Sequence, residues 1–200
     1  MAANAVALLQ PAQPLAAQVR AHVEESDDAL MMLARGGDAA AFDALVRRHQ
    51  AAVLRVAARY LGDSALAPDV AQATFVQLHG WLHRYEARGK FKAFVMRLAV
   101  RQCAMAARSR ATVRRRDERA MVADASAAPD EVVLARERRR AVDGALATLS
   151  PKLRRVVVLR YGGDLSYEEV AAALGLPVGT VKSRLFAGLA KLRGALSEDA

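Results

Sequence analysis

Cysteine occurs once in the 200 residues, at Cys103, so no internal disulfide can form and nothing calls for an oxidising compartment. Aromatic residues make up only 5% of the chain, and β-branched runs are scarce outside Val156 to Val158. Sheets are built from such residues, whereas the abundant alanine, leucine and arginine are strong helix formers, so an all-α protein is expected. No apolar run approaches the ~20 residues that cross a bilayer. The start of the chain, "MAANAVALLQPAQPLAAQVR", lacks the basic n-region of a signal peptide and is broken by Gln10, Pro11, Gln13 and Pro14. A cytoplasmic protein with no membrane partner is therefore expected. Catalytic signatures are missing as well. The sequence holds no phosphate-binding loop and no nucleophile motif, and of its scattered histidines only His79 and His83 share a helix face at metal-ligand spacing, without a third ligand. Cys103 suits a small core position. Neither an enzyme nor a cofactor nor a metal site is expected.

What the chain has in excess is positive charge: 30 Lys and Arg stand against 21 Asp and Glu, a formal net charge of +9. A balance this basic favours an anionic partner. Apolar residues recur at helical spacing from Asp27 onward. Leu30, Leu33 and Ala34 form one stripe, and Phe42, Leu45, Val46, Val53, Val56 and Tyr60 a second, ended by "LGD" at 61–63. A third helix is predicted from about Ser64 to Tyr85, with Pro68 tolerated in its first turns, and a fourth carries Phe91, Phe94, Val95, Leu98 and Cys103. Residues 27–110 then form one small domain behind a loosely ordered extension, 1–26. Residues 111–130 run from strongly basic to small and polar without apolar periodicity, which predicts a flexible linker. Residues 131–200 form a second helical domain. The fold class expected is two small helical domains joined by that linker.

The second domain contains "LSYEEVAAALGLPVGTVKSRLF", residues 165–186. Ser166 and Glu169 have capping-box spacing, Gly175 suits a left-handed helix end, and Pro177 suits a helix start. Val170 and Leu174 face inward, Ala171 allows a close helix approach, and Leu176 and Val181 plug the angle. The pattern is a helix-turn-helix. The second helix presents Thr180, Lys182, Ser183, Arg184 and Phe186, side chains able to bond phosphates and base edges or to touch a thymine methyl in the major groove.

"LSPKLRRVVVLRYGGDLSYEEVAAALGLPVGTVKSRL" (149–185) resembles region four of the extracytoplasmic-function (ECF) group of bacterial RNA polymerase sigma factors. "GDAAAFDALVRRH" (37–49), "LGD" with "QATF" (72–75) and "FKAFVMRLAVR" (91–101) are similar to that group's region two. The resemblance implies a transcription initiation factor whose partners are core RNA polymerase and promoter DNA, with an anti-sigma factor or a kinase as candidate regulators. By position it implies that Lys182, Ser183, Arg184 and Phe186 contact the upstream promoter element. It places Trp81, Tyr85, Phe91, Lys92, Phe94, Arg97 and Arg101 on segments that melt the duplex and hold the single strand, and Asp69, Gln72, Thr74 and Phe75 on the polymerase-binding helix. Strand opening needs flat side chains for unstacked bases and cations for phosphates, and residues 81–101 carry both. The chain departs from the group's usual pattern at Leu66, Pro68 and Ala73, where acids are common, leaving Asp69 alone. Phosphorylation of the flanking Ser64 or Thr74 would restore negative charge there. The competing reading is a free-standing helix-turn-helix activator or repressor, which binds its site without polymerase.

Overall fold

The computed structural model describes residues 24–117 and 141–198, and among these every regular element is helical. Ser26 opens α1 (Asp27–Arg35), its hydroxyl accepting from the Ala29 N–H at 3.2 Å, and Asp27 and Asp28 in the first turn complement the helix dipole. Asp38 caps α2 (Ala39–Leu61) by accepting from the Ala41 N–H at 3.1 Å. The apolar face of α2, including Leu45, Val53 and Val56, is fully buried. α3 (Ala67–Gly80) follows with Pro68 in its first turn, then a short 3-10 turn (Leu82–Arg84) and α4 (Phe91–Asp117). α4 therefore continues through the first residues expected to be linker, because "ATVRRRD" offers good helix formers and no breaker. The rest of the expected linker, and nearly all of the N-terminal extension, lie outside the described residues.

Residues 141–148 are helical (α5), and Ser150 with Pro151 precedes α6 (Pro151–Tyr161). The helix-turn-helix is α7 (Tyr167–Leu174) and α8 (Val178–Glu198), whose axes differ by 103°. Both halves of the capping box form: the Ser166 hydroxyl accepts from the Glu169 N–H at 3.1 Å, and the Glu169 carboxylate accepts from the Ser166 N–H at 2.7 Å. Gly175 ends α7 at φ 65°, a conformation that costs glycine least. Val181 is fully buried in the angle and Leu176 packs against the same core. Ser166→Ala, which removes one bond of the box and leaves the Glu169 N–H without its acceptor, is expected to lower stability by about 1 kcal/mol. Urea denaturation measures this, and an unchanged midpoint would show that the box contributes nothing.

One apolar stripe differs from the sequence reading. α1 buries Leu30, Met31 and Ala34, while Leu33 is 40% exposed. Leu30, Met31 and Ala34 are separated by one and four positions and share a face. That face is turned toward α2 by the first-turn acids: Asp27 accepts from Arg48 at 2.7 Å and lies 2.8 Å from His49 Nε2. Cys103 is fully buried, and burial pushes its thiol up to about 12, as befits a packing residue rather than a nucleophile.

The two halves pack against each other, α2 on α6 and α4 on α7, and share one apolar core. The halves pack tightly at Gly163, where an added Cβ would lie 3.3 Å from Val56 Cγ2 on α2.

Candidate nucleic-acid interface

Two surfaces carry the residues expected to meet nucleic acid. The first is the outer face of α8. Lys182 and Ser183 are exposed, Arg184 and Thr180 are half-buried, and Phe186 is 79% exposed. An aromatic ring this exposed gains little from folding and is available to a partner. Lys182 Nζ rests over the Tyr167 ring at 5.6 Å from its centroid, and the Arg160 guanidinium covers the same ring at 5.6 Å. These two cations and the α8 side chains place positive charge where α7 meets α8.

The second surface is a cavity of about 300 Å³ between the 3-10 turn, the loop after it and the start of α4, with Ala172 of α7 at its border. Trp81, Tyr85 and Phe94 supply its flat walls, and Arg84, Arg88, Lys90 and Arg97 its charge. The rings form a connected series: Trp81 meets Phe94 edge-on at 5.9 Å, and Phe94 meets Tyr85 at 5.4 Å. Arg84, Arg88 and Lys90 were not singled out from the sequence. The signal was present in "RYEARGK" (84–90), a basic run around an aromatic.

Not all of the expected aromatic residues are available. Phe91 is 3% exposed, its ring held between His49 at 5.1 Å and Tyr85 at 5.8 Å, so it belongs to the core. Tyr85 is largely buried and shows the cavity only part of its ring. Burial and the hydrogen bond to Asp28 both push its hydroxyl well above the usual tyrosine range. Trp81 and Phe94 are half-buried and Arg101 is exposed.

Lys92 and Arg97 are accessible but occupied. Arg97 Nε donates to the Ala173 carbonyl at 2.9 Å and its Nη2 to the Ala172 carbonyl, both at the C-terminal end of α7. Lys92 Nζ donates to the Asp164 carbonyl at 2.6 Å and lies 3.9 Å from the Glu169 carboxylate. Cations at a helix C-terminus satisfy carbonyls that the helix leaves unpaired and complement its dipole. The same chemistry recurs across the boundary, where Arg55 donates to the Gly162 carbonyl at 3.3 Å and Arg59 to the Tyr161 carbonyl at 2.8 Å.

Away from these residues, α2 and α3 border an apolar groove of about 530 Å³ lined by Phe42, Val46, Gln72, Phe75 and Val76 among others. Val76 is 66% exposed. Asp69 and Gln72 are exposed on α3, Gln72 at the groove, and Phe75 reaches the groove although it is 8% exposed. Thr74 does not belong to this surface. It is fully buried, and its hydroxyl donates to the Val70 carbonyl at 2.7 Å, so neither a partner nor a kinase can reach it in this fold. Ser64 is exposed.

A helix-turn-helix with a basic outer face packs here on a helical domain whose cavity pairs aromatic rings with cations, and both halves match the sigma-70 family. The model of sigma-70 region 2 matches residues 45–113 and that of sigma-70 region 4 matches residues 139–192. The RNA polymerase sigma-H factor of Pseudomonas aeruginosa is 30% identical over 173 residues, covering 82% of this chain and 90% of that protein. The ECF RNA polymerase sigma-E factor of Escherichia coli K12 is 31% identical over 175 residues, 80% of this chain and 89% of its own. The chain belongs to the ECF group of RNA polymerase sigma factors and acts in transcription initiation. Among solved structures, CnrH in complex with the cytosolic domain of CnrY superposes with a TM-score of 0.66 at 28% identity, covering 87% of this chain and 99% of CnrH. The sigma factor RpoE of Bartonella quintana, solved with the anti-sigma factor NepR, shares the fold at a TM-score of 0.62 and 21% identity, covering 80% of this chain and 98% of its own.

Proposed function

We propose that this initiation factor divides its work among the three surfaces and catalyses no reaction itself. The apolar groove between α2 and α3 docks on core RNA polymerase, in the cytoplasm where that enzyme works. The outer face of α8 reads the upstream promoter element, with Arg184 and Lys182 as its principal cations. The cavity beside Trp81 takes an unstacked base of the opened strand while Lys92, Arg97 and Arg101 hold its phosphates. The observation that carries this reading is the cavity itself. Rings offer every base a stacking surface, and cations around them track a phosphate backbone without reading sequence.

Two promoter elements gripped by two domains demand that the domains separate. Lys92 and Arg97 cannot bond phosphates while they bond the backbone around α7, so the packed arrangement and the DNA-engaged one exclude each other. CnrH and the Bartonella RpoE were each solved with a protein partner. An anti-sigma partner that holds the packed arrangement is accordingly proposed for this chain too. Ser64 is the phosphorylation site left for a kinase, beside the stretch where Leu66 and Pro68 stand in place of acids.

Run-off transcription with purified cognate core polymerase, with and without the chain, tests the reading. Promoter-specific transcript is expected only when the chain is present. Tight binding of the chain alone to a promoter fragment, with no dependence on polymerase, would favour the free-standing regulator instead.

A further inference from the structure

Asp28 takes no part in the surfaces just described, yet both of its carboxylate oxygens are used. Oδ1 accepts from the Tyr85 hydroxyl at 2.5 Å, and Oδ2 accepts from the Gly89 N–H at 2.6 Å. Asp28 lies in the first turn of α1, which is itself locked to α2 because the neighbouring Asp27 holds Arg48 and His49. The two acceptors therefore sit on a rigid element, and the two donors bracket the loop between Tyr85 and Gly89. That loop carries Glu86 and Arg88 at the cavity, and Lys90 follows directly. Gly89 has φ 63°, a left-handed turn that brings its N–H round to the carboxylate.

The consequence reaches the rings. Tyr85 packs edge-on against Phe91 at 5.8 Å and obliquely against Phe94 at 5.4 Å, and Phe94 in turn meets Trp81. Fixing the hydroxyl of Tyr85 fixes the tilt of its ring, and hence the wall that Phe94 and Trp81 continue. A loop without such a tie spends much of its time away from the geometry that a flat ligand needs, and ordering it on binding weakens affinity.

We propose that Asp28 is a positioning residue for capture of an unstacked base: it touches no nucleic acid, and it holds the 85–89 loop and the Tyr85 ring in the conformation that receives one. This rests on the reading of the cavity as the base-holding site. Acids in the first turn of a helix ordinarily serve as dipole partners alone. Asp28 differs because both of its oxygens are directed away from its own helix, onto a segment about sixty residues further along the chain.

The test uses Asp28→Asn and Tyr85→Phe in the full chain, with two readouts. Trp81 is the single tryptophan of the chain, so its emission reports the cavity without interference. Asn keeps the shape of Asp but turns an NH₂ toward one of the two donors, and Phe removes the hydroxyl while keeping the ring. Both variants are expected to shift Trp81 emission and increase its quenching by acrylamide. In holoenzyme, both are expected to weaken binding of a single-stranded oligonucleotide carrying the downstream promoter element by about tenfold, the scale of one lost hydrogen bond to a charged group. Binding of duplex upstream element is expected to be unchanged. Wild-type emission and wild-type oligonucleotide affinity in both variants would overturn the positioning role. Equal losses on the oligonucleotide and on the upstream duplex would overturn it as well, since they would report general loosening. Trp81→Ala and Arg88→Ala in holoenzyme test the cavity separately: weaker oligonucleotide binding in these variants keeps it as the base-holding site, and no effect of either removes that reading and the role of Asp28 with it.

Discussion

Alanine at both Lys92 and Arg97 is expected to lower open-complex formation by about a hundredfold while leaving binding to core polymerase intact. A hydrogen bond to a charged group contributes about 1.5–3 kcal/mol, so losing one phosphate contact from each residue removes at least about 3 kcal/mol, a factor of more than a hundred. Permanganate reactivity of unpaired thymines in the promoter measures the effect. The salt dependence of binding to a pre-opened template should also flatten, by roughly 0.7 in log-log slope for each lost single-strand phosphate contact. In the free chain the same pair of substitutions removes the bonds to the Ala172, Ala173 and Asp164 carbonyls. Small-angle scattering should then show a larger radius of gyration. Undiminished permanganate reactivity would remove both residues from the strand-holding surface.

Arg184→Ala and Lys182→Ala are expected to weaken upstream-element binding by about 1–3 kcal/mol each where they contact bases, and the two should differ in kind. Lys182 rests on the Tyr167 ring, a cation–π contact that holds its charge back at the junction of α7 and α8. There it suits a phosphate, so its loss should reduce affinity evenly across sequences and lower the duplex salt slope by about 0.9. Arg184 has no such tether among the described residues and suits a base edge, so its loss should relax sequence preference at one position. Selection of promoter fragments by the reconstituted holoenzyme separates the two patterns. Unchanged promoter use in both variants would take the reading face away from α8.

The helix-turn-helix was legible in the sequence because its determinants are local. Ser166, Glu169 and Gly175 lie within ten positions and each states where α7 begins or ends. The division of the aromatic residues was not legible. Phe91 and Phe94 are three apart and share one helix face by periodicity, so only the packing of His49 and Tyr85 decides that Phe91 is core and Phe94 cavity wall. The sequence places Thr74 on a binding surface for the same reason: α3 is apolar on both sides, and only the position of α2 settles which side is covered. The bonds between the halves lie beyond any side-chain pattern. Most of their acceptors are backbone carbonyls, at Tyr161, Gly162, Asp164, Ala172 and Ala173 among others, which every residue type possesses.

Those carbonyl acceptors have a consequence for ionic strength. A carbonyl is a neutral dipole with no condensed counterions, so bonding Arg97 to the Ala172 and Ala173 carbonyls releases almost no salt, whereas bonding it to a phosphate releases ions. The two arrangements proposed to compete for Arg97 therefore respond unequally to electrolyte. On that proposal, concentrated salt weakens the DNA-engaged arrangement steeply and the Arg97 contacts of the packed one little, dilute salt reverses the balance, and the exchange at the end of α7 makes ionic strength one determinant of how readily the factor opens.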